Sequence, residues 1–307
     1  MTDTPRLRLG TRQSPLAMAQ AHEARDRLCR AHGWDVHAVE LVPVIASGDR
    51  IQERPLAEIG GKALWTKELD AWLVEGRIDA AVHSMKDVET LRPAEIAIGA
   101  ILPRADVADV LVGAASIRGI PQGARVGTSA PRRAAQMLHH RPDCTIVGIR
   151  GNVATRLAKL QAGEADVTLL AAAGLDRLGE HGVGTRLDPE EWLPAPSQGA
   201  IGLECRSGDA RTRELLAAID HAESRWRVEA ERGLLASLEG TCHSPVAALS
   251  WIEGETIGLR AAIFAEDGSE RFEGTITLRA GDTDGAERLA EDLLARASTN
   301  VTRLFGG

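Results

Sequence analysis

The sequence predicts an α/β fold with three domains: two α/β lobes and a small α+β domain at the C-terminal end. Short apolar runs alternate with amphipathic segments up to about residue 220, which is the pattern of βαβ units. With 307 residues, of which 44% are apolar, the chain is long enough for two or three separate cores. From about residue 222 the pattern changes to a helix, alternating strands around a turn, and a last helix.

The first lobe is predicted from a strand–helix–strand pattern. Ser14 is expected to cap a helix, because its hydroxyl can accept a bond from a free N–H and Pro15 suits the first helical position. The predicted elements are strands over 7–9, 36–44 and 80–83 and helices over 14–32 and 65–76. The third strand runs directly into the polar residues 84–87, and ligands of open α/β sheets bind at such strand ends.

The second lobe repeats this alternation, and the third domain departs from it. Strands are predicted over 124–126, 145–149 and 166–171 and helices over 132–140 and 152–161. The segment 193–206 is interpreted as a crossover that returns to the first lobe. The third domain is predicted to hold a helix over 224–238, strands over 257–264 and 271–278, and a helix over 284–304. The predicted boundaries are 1–103 with 197–218 for domain 1, 104–196 for domain 2 and 219–307 for domain 3.

The net charge of −8 conceals one strongly basic segment. Residues 118–161 hold eight bases and one acid, a net charge of +7, in a chain with 32 Arg and only 4 Lys. A genome-wide preference for Arg accounts for the overall ratio but not for where the arginines cluster. The segment contains no Phe, Tyr or Trp, on which single-stranded nucleic acid would stack. A nucleic-acid-binding module is therefore disfavoured.

The arginines of this segment lie at strand–helix junctions. Arg132 and Arg133 begin one helix, Arg150 ends a strand, and Arg156 lies one turn into the next helix. Helix N-termini bind anions, and guanidinium groups bind carboxylates through two bonds at a time. The expected ligand is a small molecule with several carboxylates or phosphates. The alternative is a set of solvated helix faces, and it is preferred for Arg118, Arg141 and Lys159.

Two further candidates are an acid and a thiol. Asp87, beside Lys86 at a strand end, suits proton transfer or the stabilisation of a cation, and a loop salt bridge is the alternative. Cys242 lies in a loop among small and polar residues, where a thiol can be accessible. The remaining cysteines, Cys29, Cys144 and Cys205, are interpreted as structural. Their spacing shows no metal pattern, and no metal is expected.

The location of the protein is predicted from two absences in the sequence. The N-terminal residues contain no apolar signal-peptide core. No stretch approaches the ~20 apolar residues of a membrane span. A cytoplasmic protein without a membrane partner is therefore expected.

Eight sequence blocks together resemble one family. They are TRQSPLAMAQ (11–20), GGKALWTKEL (60–69), AVHSMKD (81–87), VGTSAPRR (126–133), RGNVATRL (150–157), AGLDRLG (173–179), LPAPSQGAIGLECR (193–206) and EGTCHSP (239–245). Their residues and order are similar to those of hydroxymethylbilane synthases, also called porphobilinogen deaminases. The resemblance covers all three predicted domains and is weakest after about residue 251.

The resemblance implies a transferase of tetrapyrrole (porphyrin and heme) biosynthesis. The family joins four porphobilinogen molecules into the linear tetrapyrrole hydroxymethylbilane, with release of ammonia. It uses a covalent dipyrromethane cofactor, held by a thioether to the Cys that matches Cys242. Its catalytic residues match Asp87 and Lys86. Its first two domains resemble type II periplasmic binding proteins, with the active site between them.

The resemblance also implies two sets of binding residues. The cofactor set, besides Cys242, is Ser84, Lys86, Asp87, Thr128, Ser129, Arg132, Arg133, Arg150 and Gly151. The substrate set is Arg12, Ser14, Trp65, Arg150, Asn152, Arg156, Arg177 and Gln198. Each pyrrole carries an acetate and a propionate, which agrees with a basic segment. The implied partners are porphobilinogen and the growing oligopyrrole, and a monomer that binds neither nucleic acid nor membrane is expected.

The sequence departs from the family pattern at a few positions. Ala130 and Pro131 stand where hydroxyl residues are common, and Thr241 stands where Gly is usual. Trp65 replaces a Phe, and Asp176 replaces a basic residue. The alternative function is a non-catalytic, two-lobed binding protein for a polycarboxylate metabolite. Such a protein would have no use for Cys242.

Overall fold

The computed structural model describes residues 5–44, 66–241, 243–279, 282 and 284–306. The chain forms two compact units, which we call the first unit (Met1–Ala105 with Ala200–Arg225) and the second unit (Asp106–Gly199 with Trp226–Gly307). Two five-stranded sheets and one three-stranded sheet, flanked by helices, confirm the predicted α/β class with a small α+β part. The three predicted domain boundaries stay a prediction.

The secondary structure elements are numbered in chain order. The strands are β1 (Leu7–Arg12), β2 (Val39–Val44), β3 (Ala80–Ser84), β4 (Ile96–Ile101), β5 (Asp109–Val112), β6 (Arg125–Gly127), β7 (Thr145–Val147), β8 (Val167–Ala171), β9 (Thr185–Arg186), β10 (Ile201–Arg206), β11 (Val246–Glu253), β12 (Thr256–Phe264) and β13 (Arg271–Arg279). The helices are α1 (Pro15–His32), α2 (Lys67–Val74), α3 (Pro131–His140), α4 (Val153–Gln161), α5 (Ala172–Arg177), α6 (Ala210–Ala217), α7 (Ala222–Ser237), α8 (Gly285–Arg296) and α9 (Thr299–Thr302).

The first unit contains a sheet in the order β2-β1-β3-β10-β4. Strands β1, β2 and β3 are parallel, and β10 runs antiparallel to both of its neighbours. Alternate residues of β3 pack on opposite faces: Val82 joins the core beneath α1, and Ala81 joins the core beneath α2. Because both faces are covered, the strands are apolar along most of their length. The predicted return of the chain to the first lobe is confirmed by β10.

Helix α1 begins as its sequence predicts. The Ser14 hydroxyl accepts a bond of 3.3 Å from the Ala17 amide, and Pro15 occupies the first turn. The helix ends at Gly33, whose φ of +63° is the left-handed conformation that glycine adopts without strain. Because β1 ends at Arg12 and α1 is capped by Ser14, both residues lie at the carboxyl end of β1.

The second unit contains a sheet in the order β7-β6-β8-β5-β9. Its strands β6, β7 and β8 are parallel, and β5 runs antiparallel to β8. Both five-stranded sheets thus share one arrangement: three parallel strands, then one reversed strand, then a fifth strand antiparallel to the reversed one, although the sequence shows no repeat. A three-stranded antiparallel sheet, β11-β12-β13, packs against α8 through Leu289 and Leu293.

Several predicted elements were wrong in extent. The second strand begins at Val39, because Asp35 caps a 3₁₀ turn at Val36–Ala38 by accepting a bond from the His37 amide. The predicted last helix is interrupted at Ala297, whose backbone is extended, and α9 follows separately. Strands β4, β5, β9 and β11 were not predicted. The predicted helix start at Trp65 lies outside the described residues. Within the described ranges, no helix is long and apolar enough to cross a membrane.

Candidate active site

The Lys86–Asp87 pair lies on a firmly anchored turn. Strand β3 ends at Ser84, and a 3₁₀ turn, Met85–Asp87, follows. The Met85 amide donates a bond of 3.0 Å to the Ala200 carbonyl, and its buried side chain packs on Gly202, where a Cβ would lie 2.1 Å from Met85 Sδ. Lys86 and Asp87 are half-buried. The predicted placement of polar residues at a strand end is confirmed.

Other predicted residues of the first unit lie near the ends of strands. Ser84 Oγ accepts a bond of 2.7 Å from Gln20 Nε2, and Gln20 is buried. Arg12 ends β1 and is half-buried. The Ser14 hydroxyl is engaged in capping α1. The carboxyl end of this sheet therefore carries the hydroxyl, guanidinium, ammonium and carboxylate groups that the sequence predicts.

The segment that follows the turn in the chain forms an ion-pair network centred on Arg92. Its guanidinium donates to both oxygens of Glu204 at 2.9 Å, to Asp70 at 2.5 Å and to Glu89 at 2.6 Å. The Thr66 hydroxyl adds bonds to Glu89 at 2.8 and 3.0 Å. Since Glu89 and Arg92 follow Asp87 closely in the chain, the network ties the segment after the turn to α2 and β10.

His83, which precedes the turn in the chain, lies next to the same network. Its Nε2 lies 3.3 Å from Glu204 Oε2 but outside hydrogen-bond geometry, and the ring is buried. Burial, reinforced by the charge of Arg92, lowers the pKa of His83 to about 4. The imidazole is therefore neutral at pH 7. Burial also raises the pKa of Asp70, against the opposing effect of Arg92.

In the second unit, Arg132 and Arg133 share a buried internal carboxylate. Asp109 Oδ2 accepts bonds from Arg132 Nη1 at 2.6 Å and Arg133 Nε at 3.2 Å. Its Oδ1 accepts from Arg133 Nη2 at 2.6 Å. All three side chains are at least nine-tenths buried. The predicted position of the arginines in the first turn of a helix is confirmed, and their immediate partner is Asp109.

Two neutral donors complete the shell of Asp109. Trp192 Nε1 donates to Oδ2 and Gln198 Nε2 donates to Oδ1, each at 2.9 Å. Gln198 also donates 2.8 Å to the Val107 carbonyl and is fully buried. Burial opposes ionisation of Asp109, but the charges and hydrogen bonds of the two arginines outweigh it and hold the pKa of Asp109 well below its usual range.

The predicted hydroxyl residues follow β6. Thr128 Oγ1 accepts a bond of 3.1 Å from the Ala130 amide, and Ser129 Oγ donates 3.0 Å to the Ile149 carbonyl. Ala130 caps α3 without a side-chain bond, and Pro131 begins the helix as its sequence position predicts. The loss of a hydroxyl at 130 therefore leaves the helix start intact.

The junction before α4 depends on Gly151. Its φ is +116°, and a Cβ there would lie 2.6 Å from Thr155 Cγ2, so no larger residue fits. The Asn152 side chain caps α4 by accepting a bond of 2.9 Å from the Thr155 amide. Arg156 Nε donates 2.9 Å to the Gly151 carbonyl, which orients that guanidinium, and Arg150 precedes the turn and is half-buried.

Other basic residues of the second unit have defined partners. Arg177 Nη2 donates 3.3 Å to the Gly199 carbonyl. Arg141, predicted as a solvated side chain, instead clamps a loop through the carbonyls of Ile117 and Ile120, so that prediction was wrong. Asp176 pairs with Arg186 at 2.5 Å. The negative charge of Asp176 is thus paired with Arg186 of the same unit.

The predicted covalent anchor, Cys242, and the predicted aromatic contact, Trp65, both lie outside the described residues. Before the anchor, Glu239 has a φ of +51°, whereas Gly240 and Thr241 do not have positive φ values. Thr241 in place of glycine is therefore compatible with the backbone there. Its amide donates 3.0 Å to Ser244 Oγ.

Sequence reasoning missed three polar groups that support these positions: Asp109, Trp192 and the Arg92 network. Asp109 opens the apolar run of β5, and Glu204 stands inside the apolar run of β10. An acid within an apolar strand is the signal that would have indicated a buried partner. The sequence alone does not say which arginine that partner is.

The donors of the second unit fit a polycarboxylate such as dipyrromethane. They are guanidinium and hydroxyl groups at two strand–helix junctions, the groups that bind carboxylates best. Arg132 Nε is buried and meets no acceptor in the part of the chain that the structure describes. No group of three or more potential metal ligands occurs among the described residues.

Two family models match nearly the whole chain. Residues 7–214 match "Porphobilinogen deaminase, dipyromethane cofactor binding domain", and residues 226–298 match "Porphobilinogen deaminase, C-terminal domain". The chain is 57% identical to a porphobilinogen deaminase of Sphingopyxis alaskensis, over 99% of this chain and 97% of that protein. It is 49% identical to a porphobilinogen deaminase of Paracoccus denitrificans, over 95% of this chain and 94% of that protein. A solved structure, the periplasmic VFT2 domain of Bordetella pertussis BvgS, is 14% identical over 72% of this chain and 91% of that chain, with a TM-score of 0.42.

Proposed function

The chain belongs to the porphobilinogen deaminase family, and from this premise we propose which of its residues carry the reaction. Its activity is that of a hydroxymethylbilane synthase, a transferase of tetrapyrrole biosynthesis that uses a dipyrromethane cofactor. The non-catalytic binding protein is not favoured. The observation that carries the assignment of roles is the anchored turn that presents Lys86 and Asp87 at the end of β3.

We assign to Asp87 the handling of protons and charge. Each condensation must protonate a leaving amine and then stabilise the cation that remains. A fixed carboxyl group can do both, because after it gives its proton to the amine it is the carboxylate that stabilises the cation. The anchoring of the turn through Met85 keeps that carboxylate in place without reorganisation between steps. Lys86, its neighbour, is assigned to a carboxylate of the pyrrole chain. When bound, dipyrromethane supplies the pyrrole carbon on which the chain grows.

The arginines of the second unit are assigned to the acetate and propionate groups. Arg150 and Arg156 flank the junction at Gly151, and Asn152 and Arg177 are assigned to the same substrate. Arg132 and Arg133, with Thr128 and Ser129, are assigned to the cofactor. From the first unit, Ser84 is assigned to the cofactor, and Arg12 and Ser14 are assigned to the substrate. Gln198 supports this set through its bonds around Asp109.

Cys242 is assigned as the thioether anchor and Trp65 as an aromatic contact. We further propose the three-domain division at the predicted boundaries, with Cys242 in domain 3. Porphobilinogen is the substrate. We also propose that the protein acts as a cytoplasmic monomer that binds neither nucleic acid nor membrane.

Intact mass spectrometry tests the anchor. The wild-type chain, purified from cells that make porphobilinogen, is expected to carry the added mass of two pyrrole units on the Cys242 peptide. Cys242→Ala is expected to lack that mass. Cys29→Ala, which removes a half-buried thiol of α1, is the matched control and is expected to keep it. An unmodified wild-type chain would contradict the assignment.

The role of Asp87 is tested by Asp87→Asn. The amide keeps the shape of the side chain but cannot give or take a proton, so kcat is expected to fall by roughly 10²–10⁴-fold while KM changes little. Asp26→Asn, which removes an exposed acid of α1, is the control and should leave kcat unchanged. A kcat within threefold of wild type for Asp87→Asn would refute the role.

A further inference from the structure

The two arginines bound to Asp109 are held to different degrees. Arg133 uses all three of its nitrogens: Nε and Nη2 bind Asp109, and Nη1 donates 2.8 Å to the Leu169 carbonyl. Among the described residues, the bonds of Arg132 all come from Nη1, to Asp109 and, at 3.2 Å, to the Leu193 carbonyl. Its buried Nε meets no acceptor within the described ranges. Arg133 is therefore fixed by the protein, whereas Arg132 keeps donor capacity for a ligand.

The three side chains together carry one net positive charge. Two guanidinium groups lie next to each other in a region from which water is excluded, and the carboxylate between them offsets their repulsion. Burial lowers the pKa of Arg132, and Asp109 opposes that effect. Without Asp109 the two cations would separate, and the direction of each guanidinium would no longer be defined.

Trp192 fixes the carboxylate itself. Its indole N–H donates to Asp109 Oδ2, the oxygen that both arginines also bind. The ring is buried and lies against His140, with ring centroids 5.8 Å apart, so α3 packs on the same indole. The carboxylate is thus held between the start of α3 and a rigid aromatic ring, and it cannot rotate away from the arginine pair.

We propose that Asp109, oriented by Trp192, is a positioning residue for the reaction. It presents the Arg132–Arg133 pair with one net positive charge and with Arg132 directed for a pyrrole carboxylate. This inference rests on the proposed function, in which this pair binds the carboxylates of the dipyrromethane cofactor. A cofactor held less firmly presents its terminal pyrrole less well to each incoming porphobilinogen, and the result is a higher KM. We therefore expect that disturbing Asp109 or Trp192 weakens the binding of pyrrole carboxylates more than it slows the chemical step.

Trp192→Phe and Asp109→Asn test the proposal in the cofactor-loaded enzyme. Trp192→Phe keeps the aromatic contact and removes one hydrogen bond from an uncharged donor to the Asp109 carboxylate, so KM for porphobilinogen is expected to rise about three- to tenfold with kcat within twofold. Asp109→Asn replaces an acceptor with an amide N–H₂ that faces guanidinium donors, and KM is expected to rise more than tenfold. Asp166→Asn, which removes an exposed acid paired with Arg125, is the control and should keep the wild-type KM.

The decisive measurement is the separate change in KM and kcat, taken with the melting temperature. A Trp192→Phe enzyme with a lower melting temperature and the wild-type KM would show a purely structural role and overturn the proposal. A folded Asp109→Asn enzyme with the wild-type KM would do the same. Arg150→Gln separates the role of Asp109 from the role of the arginines, because Arg150 does not contact Asp109. An unchanged KM in that variant would instead overturn the assignment of arginines to carboxylates.

Discussion

Replacement of Arg92 by Met is expected to destabilise the first unit strongly. Met fills much of the same space but donates no hydrogen bond. The four bonds that Arg92 makes to Glu204, Asp70 and Glu89 are lost together. Glu204 is fully buried, so its carboxylate is left without a cation in a place that water does not reach.

The size of the effect follows from the burial of each partner. Removing one member of a buried ion pair costs about 3–5 kcal/mol, and that figure applies to Glu204. The side chains of Asp70 and Glu89 are 17% and 23% exposed. The loss of their ion pairs with Arg92 adds less to the destabilisation, because solvent screens these two charges. We expect the free energy of unfolding to fall by about 4 kcal/mol, which lowers the melting temperature by about 8–16 °C.

The destabilisation should depend on pH in a defined direction. Arg92 opposes the rise in the pKa of Asp70, so its removal raises that pKa further above the unfolded value. Arg92 also helps to lower the pKa of His83, so its removal raises that pKa from about 4. In both cases the folded variant binds more protons than the folded wild type. The variant should therefore lose least stability relative to wild type near pH 5 and most near pH 8.

The assay is urea unfolding followed by circular dichroism at pH 5, 6, 7 and 8. Arg77→Met is the matched control, because Arg77 and Glu75 form an ion pair in which both side chains are about half exposed. It should change the free energy of unfolding little at any pH. An Arg92→Met protein within 1 kcal/mol of wild type, or one whose loss of stability does not vary with pH, would contradict the stabilising role of Arg92.

Three further predictions concern backbone contacts and one buried ring. Gly202→Ala places a Cβ 2.1 Å from Met85 Sδ, so the Met85 side chain that anchors the turn must move. We expect kcat to fall about tenfold with the cofactor mass retained, and an unchanged kcat would contradict the role of this contact in holding Asp87. Gly151→Ala requires an alanine backbone with a φ of +116° and places its Cβ against Thr155. Denaturation should show a free energy of unfolding lower by about 1–3 kcal/mol. Steady-state kinetics should show a higher KM. The pKa of His83 is about 4 in the folded protein and near 6.5 in the unfolded chain, so between these pH values the unfolded state binds the extra proton and wild-type stability falls as pH falls. His83→Asn should make stability depend less on pH in this window. An equally steep dependence in the variant would contradict this prediction.

The features that the sequence predicts correctly depend on near neighbours in the chain. The Ser14 cap and Pro15 start of α1 need contacts over three residues. The place of Lys86 and Asp87 at the end of β3 follows from an apolar run that stops abruptly. In both cases the physical cause, a free N–H or the end of a buried strand, is local.

The features that it does not predict depend on partners far apart in the chain. Arg132 is correctly placed in the first turn of a helix, yet its partner, Asp109, lies 23 residues away. Gln198 reaches the same carboxylate across 89 residues. No periodicity shows which distant acid a given arginine meets. Two of the four missed strands were missed for a local reason, since β5 and β9 are four and two residues long and show no clear alternation.

The late position of β10 in the chain has a consequence for folding during synthesis. In the first unit, β10 lies between β3 and β4, and β4 pairs with β10 alone among the strands described. When a ribosome has made the first 105 residues, β4 has no neighbour to bind, and one edge of β3 is open. The whole intervening part of the second unit must emerge before residues 201–206 arrive to close the gap. The nascent chain therefore exposes an unpaired apolar strand edge for about 100 residues of synthesis, the period in which we expect chaperones to engage it.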